Sequence, residues 1–187
     1  MTRIALALGL FALPAFAQEM ALQLDPGQTR VEFTLGDVLH TVHGTFKLKR
    51  GAVRIDPATG KATGELIIDA TSGESGSGAR DSRMHKNILE SGRYREITLT
   101  PDRFDGKLNP QGDSQVQLHG QFGIHGIQHE VTLPVKVRIR EQELEADTQF
   151  PVPYQKWGMK NPSTFILRVD DTVQIQIHAV GRLSPVQ

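Results

Sequence analysis

Residues 130–140 read Glu130-Val131-Thr132-Leu133-Pro134-Val135-Lys136-Val137-Arg138-Ile139-Arg140. An aliphatic side chain occupies every second position, and each position between is polar, charged or proline. A period of two sends successive side chains to opposite faces, so this stretch is a β-strand with one dry and one wet face. The preceding stretch carries the same code. Val116, Leu118, Gly120, Phe122 and Ile124 fall on one side, and Gln115, Gln117, His119, Gln121 and His125 on the other. Gly126 to Gln128 then forms a short hairpin connection.

The pattern recurs outward in both directions. Val31/Phe33/Leu35, Val42/Gly44/Phe46/Leu48 and Gly64/Leu66/Ile68 alternate in the same way, with Asp56-Pro57-Ala58-Thr59-Gly60 supplying a tight reversal between the last two. Further strands are expected at 97–104, 144–152, 165–169 and 173–179. Two segments break the rhythm. A Ser/Gly-rich loop at 71–78 leads into a short amphipathic helix near 80–90, which places Met84, Ile88 and Leu89 at helical spacing. The segment 153–162 has proline at both ends and holds Tyr154, Trp157 and Met159, so it cannot run as a continuous strand.

At least eight short strands joined mostly by hairpins make an antiparallel meander, and its dry face has to be hidden. One short helix cannot cover it, so the sheet curls on itself. The expected fold is all-β, an eight-stranded antiparallel barrel with one short helix, whose interior holds either side chains or one small ligand. An immunoglobulin-type sandwich would need Greek-key crossings that these hairpins do not supply.

Composition narrows the chemistry. The chain has 187 residues, 21 basic and 21 acidic, and no cysteine. Zero formal charge argues against nucleic-acid binding, which needs a basic surplus on one face. Lack of cysteine removes disulfides, zinc–thiolate sites, a thiol nucleophile and a lipoprotein anchor. The first seventeen residues read as a secretory signal: Arg3 opens them, an apolar run spans 4–16, and Ala15-Phe16-Ala17 has the small-x-small form of a cleavage site. Such a run rises roughly 20 Å as a helix against about 30 Å of hydrocarbon, too short for a membrane span. Residues 18–187 then form one exported domain, periplasmic or secreted.

Few catalytic groups gather in this sequence. His119 and His125 are about 20 Å apart along one strand and cannot share an ion. His40 and His43 fall on opposite faces, and His125 and His129 lack a third ligand, so no metal site is expected. The glycines and serines of 73–78 match neither a nucleophile elbow nor a dinucleotide fingerprint. Arg80 and Asp81 are expected to pair or to cap the helix. No cofactor is implied.

Taken together, Asp25, Val42-His43-Gly44-Thr45-Phe46, Arg80-Asp81 leading into Met84 and Leu89, Tyr94 before Ile97, Gly120-Gln121-Phe122-Gly123-Ile124-His125-Gly126, and Trp157-Gly158-Met159-Lys160-Asn161-Pro162-Ser163-Thr164-Phe165 give the chain a specific likeness. It resembles the YceI-like family of exported bacterial proteins across essentially all of residues 18–187. The resemblance implies a lipocalin-like barrel around a long apolar ligand (a polyisoprenoid, an isoprenoid quinone or a fatty-acid derivative), often in a homodimer, and implies no catalysis.

The leading expectation is therefore a non-enzymatic carrier. Phe33, Phe46, Leu66, Ile68, Phe122, Ile124, Val135, Val137, Phe150 and Phe165 would line its cavity, and Met84, Ile88, Leu89 and Trp157 would cover it. Two other readings stay open. A solid-core interaction module would dock a partner through a sheet edge or the 153–162 loop, and a hydrolase would need a polar site at the barrel mouth built from Asp81, His85 and His125.

Overall fold

The computed structural model describes residues 18–36, 41–163 and 168–186. Nine strand segments make one sheet: β1 Met20–Leu24, β2 Arg30–Gly36, β3 Thr41–Asp56, β4 Lys61–Glu74, β5 Glu96–Asp105, β6 Gly112–Ile124, β7 Ile127–Arg140, β8 Glu143–Val152 and β9 Val173–Pro185. From β2 to β9 every strand is antiparallel to the next, and β9 pairs back onto the first strands, so the sheet closes. The fold is the expected eight-stranded antiparallel barrel with one short helix.

Nine segments make eight strands because β1 and β2 share one slot. Both lie between β3 and β9: β1 pairs with β3 at Ala52–Ile55 and β9 at Gly181–Pro185, β2 with β3 at Thr41–Phe46 and β9 at Gln174–His178. The interruption is a turn built on Asp25. Its carboxylate accepts from the Gly27 amide at 2.7 Å and the Gln28 side chain at 2.8 Å, and these bonds hold its pKa below the usual carboxylate range.

The hairpin between β6 and β7 is tighter than the sequence indicates. Only His125 (φ 53°) and Gly126 (φ 78°) lie in the turn, a two-residue type I′ geometry whose twist suits antiparallel strands. Gly126 is required twice, since a Cβ there would also stand 2.5 Å from the Tyr94 ring. In β3 a register shift between Leu48 and Arg50 changes the inward phase from Phe46 and Leu48 to Gly51 and Val53, bending the strand around the barrel.

One expectation about an irregular segment is corrected, and one expected strand falls largely outside the described residues. In place of a continuous helix over 80–90, the chain makes a six-residue helix, α1, Gly78–Arg83, followed by a π-helical turn, Met84–Ile88, in which the Leu89 amide bonds the Met84 carbonyl at 2.9 Å. The wider turn brings Met84, Ile88 and Leu89 onto the barrel together. Most of the strand expected at 165–169, with Phe165, lies outside the described residues; Val169 makes one isolated bridge.

The connections sort by end. The turns after β3, β5 and β7 lie at one end, where Leu22, Val53, Phe104, Leu108, Ile139, Leu144 and Leu183 pack into a continuous core. Each such side chain contributes about 1.5–3 kcal/mol by leaving water. Both long connections, α1 with its π-helical turn and the β8–β9 loop, lie over the opposite end. That end is the mouth.

At the mouth the wall parts along one seam. β7 and β8 pair only from Val135/Thr148 to Arg140/Glu143, although β7 stays bonded to β6 as far as Ile127 and β8 to β9 as far as Val152. Trp157 of the β8–β9 loop enters here, stacked on His129 of β7 and 6.0 Å from the Phe122 ring.

Candidate functional site: an apolar cavity under two loops

Beneath the two long connections lies a cavity of about 450 Å³. Its walls are inward side chains of the alternating strands: Val31, Phe33 and Leu35 on β2, Val42 and Phe46 on β3, Ile68 on β4, Ile97 on β5, Phe122 and Ile124 on β6, Val152 on β8, and Val173 and Ile175 on β9. The strand beside the seam, β7, contributes none. Met84, Ile88 and Leu89 roof one side; Tyr154, Met159, Pro162 and Val169 roof the other. Volume and lining fall within the range of small-molecule sites, which are mostly apolar with few polar groups.

Glycines create the room. Phe33 and Phe46 lie with ring centroids 5.4 Å apart, and a Cβ on Gly44 would strike the Phe33 ring and the Glu74 carbonyl. A Cβ on Gly73 would strike the Phe46 ring and come within 2.8 Å of the Met84 methyl. Both rings therefore occupy space that a side chain at either glycine would take.

Eight of the expected site residues meet at this cavity: Phe33, Phe46, Ile68, Phe122 and Ile124 on the wall, Met84, Ile88 and Leu89 in the roof. Leu66, Val135 and Val137 do not face it. They are buried nearer the closed end, within the packed core. Phe150 and Trp157 stand behind Phe122, at 5.5 and 6.0 Å between ring centroids, and act on the wall through that ring. Phe165 lies outside the described residues. Sequence reasoning missed Val31, Leu35, Val42, Ile97, Val152, Val173 and Ile175 as lining residues, although the same alternation that selected Phe33 and Phe46 marks the first three.

The rim is polar and positive. Ser75, Ser77, Arg80 and Arg83 border the cavity, and no Asp or Glu does so among the described residues. The expected Arg80–Asp81 ion pair is replaced by a bridge through Ser75. Arg80 donates from Nε to the Ser75 hydroxyl at 2.7 Å and from Nη2 to the Ser75 carbonyl at 2.8 Å, and Asp81 accepts from the Ser75 amide at 2.9 Å and from its hydroxyl. The residue before α1, Ser77, makes no side-chain cap.

The residues weighed for hydrolysis are engaged in local structure. His85 Nε2 lies 2.8 Å from the Gly73 carbonyl and must donate to it, since a carbonyl only accepts; Nδ1 lies 2.9 Å from the Ser91 hydroxyl. His85 thereby pins the π-helical turn to β4. His125 packs on Tyr94 at 4.5 Å, with Nε2 3.8 Å from a Glu90 oxygen. No hydrogen bond links Asp81, His85 and His125 among the described residues, nor do any three of His, Asp and Glu gather as a metal ion requires. Among the same residues no helix is long and apolar enough to cross a membrane.

Around the mouth, Tyr154 and His129 are both shifted from their ordinary values. Burial pushes the Tyr154 phenol up to about 12, aided by Asp171 and Asp170, and its hydroxyl donates to the Asp170 carbonyl at 2.5 Å. Burial also lowers His129, whose Nε2 has no hydrogen-bond partner among the described residues.

This architecture recurs in solved structures. Burkholderia cenocepacia BcnA superposes with a TM-score of 0.69 at 20% identity, covering 84% of this chain and 98% of that one. A polyisoprenoid binding domain from Saccharophagus degradans, implicated in plant cell wall breakdown, gives 0.69 at 19%, covering 87% and 98%. A Campylobacter jejuni YceI protein gives 0.58 at 10%, covering 97% and 92%. No curated protein matches the chain. The family model of the YceI-like domain matches residues 22–181, nearly the whole barrel from β1 into β9, and the chain belongs to that family.

Proposed function

We propose that this protein is a non-catalytic carrier that shelters one long apolar chain, of polyisoprenoid, isoprenoid-quinone or fatty-acid type, in the mouth cavity. The observation that carries this reading is the cavity of about 450 Å³, walled by aliphatic and aromatic side chains where a filled barrel would have none. Each methylene moved from water into such a space contributes about 0.8 kcal/mol, so a chain of ordinary lipid length binds without any polar anchor. The polyisoprenoid binding domain of similar fold supports the same reading. Residues 1–17 act in it as a secretory signal, and the carrier works in the periplasm or outside the cell.

Native mass spectrometry of the purified protein tests this directly. The expected spectrum shows a lipid adduct that organic extraction removes and added lipid restores. Phe122→Glu, which sets a carboxylate on the wall beside the Trp157 and Phe150 rings, should abolish that restoration. A protein that neither carries lipid as purified nor takes it up afterwards overturns the proposal.

A further inference from the structure

We infer that the guest is an amphiphile with an anionic head, a carboxylate or a phosphate monoester, held at Arg80 and Arg83 on the rim of the cavity. The inference rests on the carrier reading and specifies its ligand.

The nature of the head follows from the rim. The charged residues on the lining are two arginines, and among the described residues no carboxylate borders the cavity beside them. They stand three positions apart on α1, hence on one side of it. Ser75 takes two of the five N–H donors of Arg80 and holds the group in place, leaving the others for a ligand. Ser75 also satisfies Asp81, so that carboxylate shares one hydroxyl with Arg80 and offsets part of its charge without occupying the remaining donors. A guanidinium fixed at the boundary between water and an apolar wall suits the planar, bidentate geometry of a carboxylate or phosphate. An uncharged head, such as an alcohol or a quinone, makes no comparable use of it.

Calorimetric titration of the delipidated protein with myristate, dodecyl phosphate and tetradecan-1-ol separates head from tail. Both anions should bind about tenfold or more tightly than the alcohol, the size of one charge-assisted hydrogen bond. Arg80→Gln with Arg83→Gln should bring the anions to the alcohol's affinity and leave the alcohol unchanged. Arg83→Gln alone, an exposed position, guards against misfolding and should remove part of the preference. Equal binding of acid and alcohol by the native protein, or a uniform loss of all three in the arginine variants, overturns head-group recognition while the carrier stands. Failure of all three ligands to bind a protein that also carries no native lipid removes the carrier reading itself.

Discussion

The imidazole of His129 lies flat against the indole of Trp157, ring centroids 3.9 Å apart and planes within 6° of parallel. The pair occupies the seam where β7 leaves β8, so the β8–β9 loop is held to the barrel wall where the backbone ladder is missing.

This contact makes stability depend on pH with a definite sign. Burial lowers the His129 pKa, and a proton on Nε2 would find no acceptor among the described residues. The unfolded chain takes up that proton near the ordinary value of about 6.5, the folded chain only at lower pH. Between the two, the unfolded state binds more protons, so stability is intact above about 6.5 and declines as pH falls towards the folded value. Thermal midpoints at about pH 7.5 and about pH 5.5 should therefore differ more for the native protein than for His129→Phe, which keeps the stack without the titration. Equal differences would mean that stacking of imidazolium on indole offsets the desolvation.

Val31, 3% exposed, faces the cavity from β2 opposite Phe46. Val31→Phe puts a ring into empty space rather than into a packed core, so stability should change by no more than about 1 kcal/mol, against about 1–3 kcal/mol for overpacking. Lipid occupancy in native mass spectra should fall sharply. Strong destabilisation with occupancy unchanged would show that this part of the wall has no room to give.

Alternation made the barrel legible, because each wall strand has one wet and one dry face; Val116 to Ile124 and Leu133 to Ile139 keep phase throughout. Where phase breaks, legibility fails. The shift after Leu48 hides the second half of β3, and β1 offers only Leu22 and Leu24 before the Asp25 turn. Met84 and Ile88 have the same spacing in an α-helix and in the π-helical turn that forms. Emptiness is not written locally either. Phe122 and Val135 carry the same inward signal, yet one borders space and the other is packed, which depends on what reaches across the barrel. Trp157 is marked by composition as a cover, but its partner His129 sits on another strand with nothing nearby to announce it.

Gly44 provides a steric test of the wall. It is directly opposite Phe33, and a methyl group there meets both that ring and the Glu74 carbonyl, a backbone atom that cannot step aside. Gly44→Ala should destabilise by about 1–3 kcal/mol and push the Phe33 ring into the cavity, weakening lipid uptake as well. Gly78→Ala is the control. Nothing lies within 4 Å of a Cβ there, and the residue opens α1, so alanine should leave stability unchanged or raise it by up to about 1 kcal/mol. Denaturant midpoints of the two variants should move apart; a shared shift would attribute the effect to glycine replacement in general.

Tyr154 ties the two ends of the β8–β9 loop together. Its ring roofs the cavity just after β8, and its hydroxyl reaches the Asp170 carbonyl just before β9. With the phenol pushed up to about 12, this donor keeps its proton well into the alkaline range. Tyr154→Phe preserves the ring and removes the bond. Asp170 is exposed, so its carbonyl regains water, and the global cost should stay near 1 kcal/mol. The local consequence is larger, because the roof opens when the loop ends separate. Lipid exchange should accelerate several-fold, and protease cleavage within residues 153–172 should increase, with the thermal midpoint almost unmoved. Unchanged exchange and cleavage would mean that the roof is held by the Trp157–His129 stack alone, and the double variant Tyr154→Phe/His129→Ala should then release it no faster than His129→Ala does.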